Sequence, residues 1–171
     1  ASSSNEDVLL TNTSSVSATS AEITGQNVSV SGTILTDENL SLKAVELLTV
    51  TNELESKTGN IVLEGKECSL EGKLATSETG SVEVSTTNGS LGIAGEIASA
   101  GNVNLTSTGK INLESIVTAK EKLTATSSDE DVELFASSSI SAASAEITGQ
   151  NVSISGTITT DENISLKAAE L

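Results

Sequence analysis

Residues 20–47 read SAEITGQNVSVSGTILTDENLSLKAVEL, and residues 144–171 read SAEITGQNVSISGTITTDENISLKAAEL. The match reaches back to the first residue: segments 1–47 and 125–171 agree at 35 of 47 positions, at an offset of 124. Self-similarity on this scale marks a repeat architecture, in which each unit buries its apolar face against its neighbours. The differences carry information too. Val16, Val30 and Leu40 become Ile140, Ile154 and Ile164, whereas Leu9, Thr11 and Leu35 become Glu133, Phe135 and Thr159. Positions that stay aliphatic are predicted to face a close-packed interior, and positions that cross polarity are predicted to face water.

Inside the quoted stretch lies a shorter rhythm of apolar residues spaced i, i+2. One register runs Ala21/Ile23, Leu40/Leu42, Ile61/Leu63, Val82/Val84, Val103/Leu105, Leu123/Ala125, Ala145/Ile147 and Ile164/Leu166, in steps of 19–22 residues. A second runs Val8/Leu10, Val28/Val30, Leu48/Val50, Cys68/Leu70, Leu91/Ile93, Ile111/Leu113, Val132/Leu134 and Val152/Ile154. A third follows each of these, from Val16/Ala18 and Ile34/Thr36 to Ile140/Ala142 and Ile158/Thr160, with a small residue at its second position. Alternation of period two means strands with one buried face. Three such strands every twenty or so residues predict an all-β fold, a parallel β-helix of about eight three-strand rungs. Parallel crossovers make it right-handed. At ~4.8 Å per rung it is about 35–40 Å long. The chain reads as one continuous segment, 1–171, comprising one 124-residue repeat (1–124) and a partial second copy (125–171).

The corners support this. Gly32, Asn52, Gly72, Gly95, Ser115 and Gly156 each stand four residues after the start of a second-register pair. Gly and Asn tolerate the positive φ that a sharp bend is predicted to need. Asn39, Asn60, Asn102 and Asn163 precede first-register strands, placed to stack as an amide ladder along the axis. Ala1 aligns with a position inside a strand and Leu171 falls partway through a rung, which is the pattern of a piece taken from a longer array.

Composition narrows the function. Eight Lys and no Arg stand against 24 acidic residues, a net charge of −16, so nucleic acid is not a predicted partner. No apolar run approaches a membrane span, and membrane insertion is not predicted. Without His or Arg, catalytic triads, imidazole metal sites and guanidinium clamps are excluded. Paired carboxylates remain for glycoside chemistry at Asp37/Glu38, Asp161/Glu162 and Asp129-Glu130-Asp131, but all fall in turns, where they read as a solvated face. The glycine-rich calcium nonapeptide is absent, and no cofactor is predicted. With one aromatic residue, Phe135, there is no platform for sugar stacking, and no outward rank of Thr for binding ice. Seven Asn-x-Ser/Thr triplets read as coincidences in a Ser- and Thr-rich chain. Cys68, the lone cysteine, occupies a core position and reads as a small hydrophobe.

The run Gly101-Asn-Val-Asn-Leu-Thr-Ser-Thr-Gly-Lys-Ile-Asn-Leu113, with its echoes at residues 59–63 and 80–84, resembles the repeats of filamentous haemagglutinin-like proteins. That resemblance implies a bacterial adhesin secreted to the cell surface with a β-helical shaft. The expected role is therefore a non-catalytic structural segment of an extracellular filament. Its expected partners are further copies of the array and, through other regions, a host or neighbouring-cell receptor. The competing expectations are a fibre subunit that stacks end to end and, more distantly, a carbohydrate-binding or carbohydrate-active module.

Overall fold

The computed structural model describes residues 6–169 of the chain; Ala1 and Leu171, on which the reading of the chain ends rests, lie outside them. Among the described residues there is no helix, and every strand pairing is parallel. The chain forms a β-solenoid of about eight turns. Each turn contributes a strand to each of three faces, as in Ala21–Gly25, Val28–Val30 and Thr33–Thr36. The second face is an eight-stranded sheet running without interruption from Val8–Leu10 to Val152–Ile154.

Register follows the apolar pairs. On the first face Ala21 pairs with Leu40, Leu40 with Ile61, Ile61 with Val82, and Val82 with Val103. On the second, Val28 pairs with Leu48, Leu48 with Cys68, Cys68 with Leu91, and Leu91 with Ile111. On the third, Ile34 pairs with Leu54 and Leu74 with Ile97. A one-residue slip would turn every aliphatic side chain outward, so burial itself holds the register. Leu40, Leu42, Ile61, Leu63, Val82, Val84, Val103, Leu105, Ile111, Leu113, Val28, Val30, Cys68 and Leu70 all lie in the buried cluster. The core is aliphatic apart from Cys68, and each fully buried Val, Leu or Ile side chain contributes about 1.5–3 kcal/mol.

In two turns the third and first faces are not separate strands. Ile116–Ser127 and Ser139–Gly149 each run through the third face, round the corner and into the first, which joins the two faces into one fourteen-stranded sheet. The corner is taken by a register shift: Ala119 pairs with Ala142 and Lys122 with Ser144, so Lys120 and Glu121 oppose Ala143 alone. A bulge of this kind bends a strand without ending it.

The corner glycines have a different cause from the one the sequence suggests. Gly80 alone has positive φ (103°) among the described residues. Gly32, Gly72, Gly95 and Gly156 are glycine because the backbone of the preceding rung lies against them. A Cβ at Gly72 would sit 2.0 Å from the Asn52 carbonyl oxygen, and one at Gly95 would sit 1.8 Å from that of Gly72. At Gly32 and Gly156 the obstructing atoms are the carbonyl oxygens of Ser14 and Ser138, at 2.3 and 2.6 Å.

The asparagine corner also differs from an amide-to-amide ladder. The Asn60 N–H donates to Asn39 Oδ1 (2.9 Å) and the Ser81 N–H to Asn60 Oδ1 (2.8 Å). The Asn102 N–H then donates to Ser81 Oγ (3.1 Å), and the Lys122 N–H to Asn102 Oδ1 (3.1 Å). Each side chain thus caps a backbone N–H of the next rung, and a serine serves equally well. Asn163 is exposed on the last described rung.

Candidate functional site

Four of the small third-face positions, Thr36, Ser56, Thr76 and Ser99, are buried hydroxyls that close the following corner. Thr36 Oγ1 and Ser56 Oγ both donate to the Glu38 carbonyl, at 2.8 and 2.6 Å. Thr76 donates to the Gly80 carbonyl (3.0 Å) and Ser99 to that of Asn102 (2.9 Å). The end of the first face repeats the device, with Thr86 and Ser107 both on the Gly89 carbonyl, at 2.7 and 2.8 Å. Buried hydroxyls are tolerated when paired in this way. They hold backbone, each bonded to a corner carbonyl.

A second capping line is not evident from composition or periodicity. Asn27 donates its N–H and Nδ2 to Asp7 Oδ1, at 3.2 and 2.8 Å, and accepts from the Leu47 N–H (3.2 Å). Asn151 and Asp131 repeat that pairing at 3.1 and 2.8 Å. The signal available in the sequence was the Asp–Asn spacing of 20 residues, preserved in both copies.

The candidate carboxylates do not converge. Asp37, Glu38, Asp161 and Glu162 are exposed in turns, as are Asp129 and Glu130. Among the described residues, no three of His, Cys, Asp and Glu come together as a metal-holding group, and no helix is long and apolar enough to cross a membrane. Cys68 is 3% exposed, and its thiol is pushed up to about 12 by burial, with Glu64 adding to the effect.

The charged side chains that do meet bridge rungs. Lys43 meets Glu64 at 2.9 Å, Lys66 meets Glu46 at 2.8 Å, and Lys110 meets Glu133 at 2.8 Å. Glu146 lies between Lys122 (2.6 Å) and Lys167, and hydrogen bonds from these two lysines hold its carboxyl down at about 2.

In mid-array the second face is notched. Ser69, Gly92 and Asn112 are in register on successive rungs, pointing outward, and Glu71, Ala94 and Glu114 follow them two residues on. The middle rung, with only Gly92 and Ala94, forms the floor of a depression of about 200 Å³.

Comparison with family models, with curated proteins and with solved structures returned no match. The fold and the surface must therefore carry the functional argument. What they present is a column stapled from within by hydroxyls and from without by ion pairs, with short polar side chains and scattered exposed aliphatics such as Leu9, Val45 and Ile116 between.

Proposed function

We propose that this chain is a structural segment of an extracellular or cell-surface filament, a rigid and acidic shaft without catalytic function. The observation that carries this reading is the relation between the two periods. Val8 and Val132, equivalent residues of the two copies, lie six strands apart on the same uninterrupted sheet. A further copy adds length along the axis and leaves the same face turned the same way. This is how a solenoid becomes a shaft. The net charge of −16 keeps such shafts apart in solution. Adhesion to a host or neighbouring-cell receptor, in this proposal, belongs to other regions of a bacterial surface protein of the haemagglutinin-like kind.

The test is geometric. Proteins carrying one, two and three copies of the 124-residue unit, imaged by electron microscopy, should be rods that lengthen by about 29 Å per copy, six rungs at ~4.8 Å. Particles whose long dimension does not grow with copy number would overturn the reading. Antibody against the repeat, applied to intact cells of the source organism, should label their surface; labelling only after lysis would overturn the extracellular part.

A further inference from the structure

We infer that Asn88 is a site of self-modification, at which the backbone nitrogen of Gly89 displaces the side-chain amide and leaves aspartate or isoaspartate at one corner of the solenoid. The dipeptide is the starting point. Asn88-Gly89 is the only Asn-Gly pair in the chain. An asparagine carboxamide closes a succinimide ring on the nitrogen of the next residue most readily when that residue has no Cβ to obstruct the approach. The pair lies in the turn between the strands Val82–Thr86 and Leu91–Ile93, a setting in which both residues are at home.

The fold leaves both reacting groups free. Asn88 is exposed, and among the described residues nothing engages its amide. The Gly89 N–H likewise has no acceptor among the described residues. The capping asparagines are placed differently. Asn39, Asn60 and Asn102 each accept a backbone N–H of the next rung, and Asn27 and Asn151 are bonded to aspartates. Gly89 is fixed only at its carbonyl, which accepts from Thr86 Oγ1 (2.7 Å), Ser107 Oγ (2.8 Å) and the Gly109 N–H (3.1 Å). The residue is thus anchored at one end and open to reaction at the other.

The chemistry needs only water and hydroxide. An amide nitrogen is a weak nucleophile until its proton is removed. Hydroxide takes the Gly89 amide proton, the nitrogen bonds to Asn88 Cγ, and the Cγ–Nδ2 bond breaks as ammonia leaves with a proton from water. Water then opens the succinimide, and nothing is oxidised or reduced. Breaking the bond between Cγ and nitrogen gives aspartate on an unaltered backbone. Breaking the bond between the backbone carbonyl carbon and nitrogen gives isoaspartate, which lengthens the main chain by a methylene. Aspartate adds a negative charge to a depression already lined by Glu67, Asp129 and Glu130. Isoaspartate adds length where there is little slack, since a Cβ on Gly89 would lie 2.4 Å from Glu67 Cγ and 2.8 Å from the Lys66 carbonyl oxygen. The extra methylene is accommodated by drawing the Gly89 carbonyl off its donors.

The experiment ages the folded protein in neutral and in mildly alkaline buffer, with a guanidinium-unfolded sample alongside. Peptide mass mapping and labelling by an isoaspartyl methyltransferase follow each asparagine. The expected result is conversion confined to Asn88, faster in proportion to hydroxide and within about tenfold of the rate in the unfolded chain, because no rung has to open first. Asn88→Gln, which would need a larger ring, should abolish the conversion and keep the fold, the side chain being exposed. Asn88→Asp supplies the charge without the lengthened backbone. In that variant the Gly109 N–H, which donates to the Gly89 carbonyl, should exchange as in the parent, and in the isoaspartyl form it should exchange faster. An Asn88 that keeps its amide in the folded protein while the unfolded chain loses it, or a mass change that persists in Asn88→Gln, would overturn the proposal. Unchanged Gly109 exchange in the isoaspartyl form would overturn its structural consequence. None of these results touches the shaft reading, which is decided by rod length.

Discussion

Gly92 and Gly95 stand three residues apart, yet the structure assigns opposite signs to the same substitution at the two positions. An alanine at Gly95 places its methyl 1.8 Å from the Gly72 carbonyl oxygen, where ordinary contact begins near 3.4 Å. That shortfall of about 1.6 Å cannot be relieved by a side chain, because the obstructing atoms are backbone of the rung below. The corner has to open, and the bonds that hold it, Ala94 N–H and Gly95 N–H to the Leu70 carbonyl at 2.8 and 3.0 Å, lengthen beyond useful range. Overpacking costs about 1–3 kcal/mol and each lost bond about 1 kcal/mol, against about 0.4–1 kcal/mol recovered from the stiffer unfolded chain. Gly95→Ala should therefore destabilise by about 2–4 kcal/mol. Gly92→Ala meets no such contact and should stabilise by about 0.5–1 kcal/mol. Guanidinium unfolding followed by far-ultraviolet circular dichroism gives both values. Amide exchange resolved by rung shows whether the loss at Gly95 stays between adjacent turns, as nearest-neighbour coupling in a solenoid requires. If Gly95→Ala proves as stable as the parent, the steric account of the corner glycines is wrong.

The remaining predictions concern the core and the charges. Leu42→Ala removes a fully buried side chain flanked by Ile23 and Leu63 in register, and should cost about 2–5 kcal/mol in the same unfolding assay. Cys68→Val adds one methyl to a position whose in-register neighbours are Leu48 and Leu91, and keeps its apolar character, so its cost should be below about 1.5 kcal/mol. The Cys68 thiol, raised to about 12 by burial, should react with a disulfide reagent only at the rate at which the rungs open. Glu146, depressed to about 2 by Lys122 and Lys167, contributes stability that is fully present above its ordinary value of 4.5 and is lost as pH falls through 2. Carboxyl-carbon NMR should place its inflection near 2, and the double variant Lys122→Ala/Lys167→Ala should return it towards 4.5.

Much of the fold was legible because parallel stacking makes a demand that sequence records directly. An inward position must be apolar on every rung, so Val28, Leu48, Cys68, Leu91 and Ile111 can be aligned by eye although their spacing varies from 20 to 23 residues. Contacts made by backbone leave a weaker trace. A glycine held at positive φ and a glycine held against a neighbouring carbonyl look alike in sequence, and only coordinates show that Gly80 meets both demands and Gly95 the second alone. The asparagine corner was misjudged for a related reason. The partner of Asn39 is a backbone N–H, which every residue carries, so Ser81 fits the same line without the amide that the ladder reading required. The fusion of third and first faces at Ile116–Ser127 depends on how one extra residue is absorbed, and no residue type signals that.

The same geometry explains why the sequence period, 124 residues, is longer than the structural one of about 20. Stacking an identical rung on itself suits the interior, where leucine on leucine is favourable. It is unfavourable outside, because any charged position would then meet its own copy about 4.8 Å along the axis. The lysines of this chain are placed against that outcome. Lys43 has Glu64 above it, Lys66 has Glu46 below it, and Glu146 is held between lysines on both sides. Individually such exposed pairs contribute little, but along a column they decide whether neighbouring turns attract or repel. A unit with one sign at a given outward position cannot supply the opposite sign one turn later. The sequence period must therefore exceed the structural one. If this is right, swapping Lys66 with Glu46 should be tolerated, while Lys66→Glu, which sets Glu46 against a second carboxylate, should destabilise those two turns at low salt and recover as salt is raised. Loss of stability that does not respond to salt would point to packing of the lysine stem as the cause.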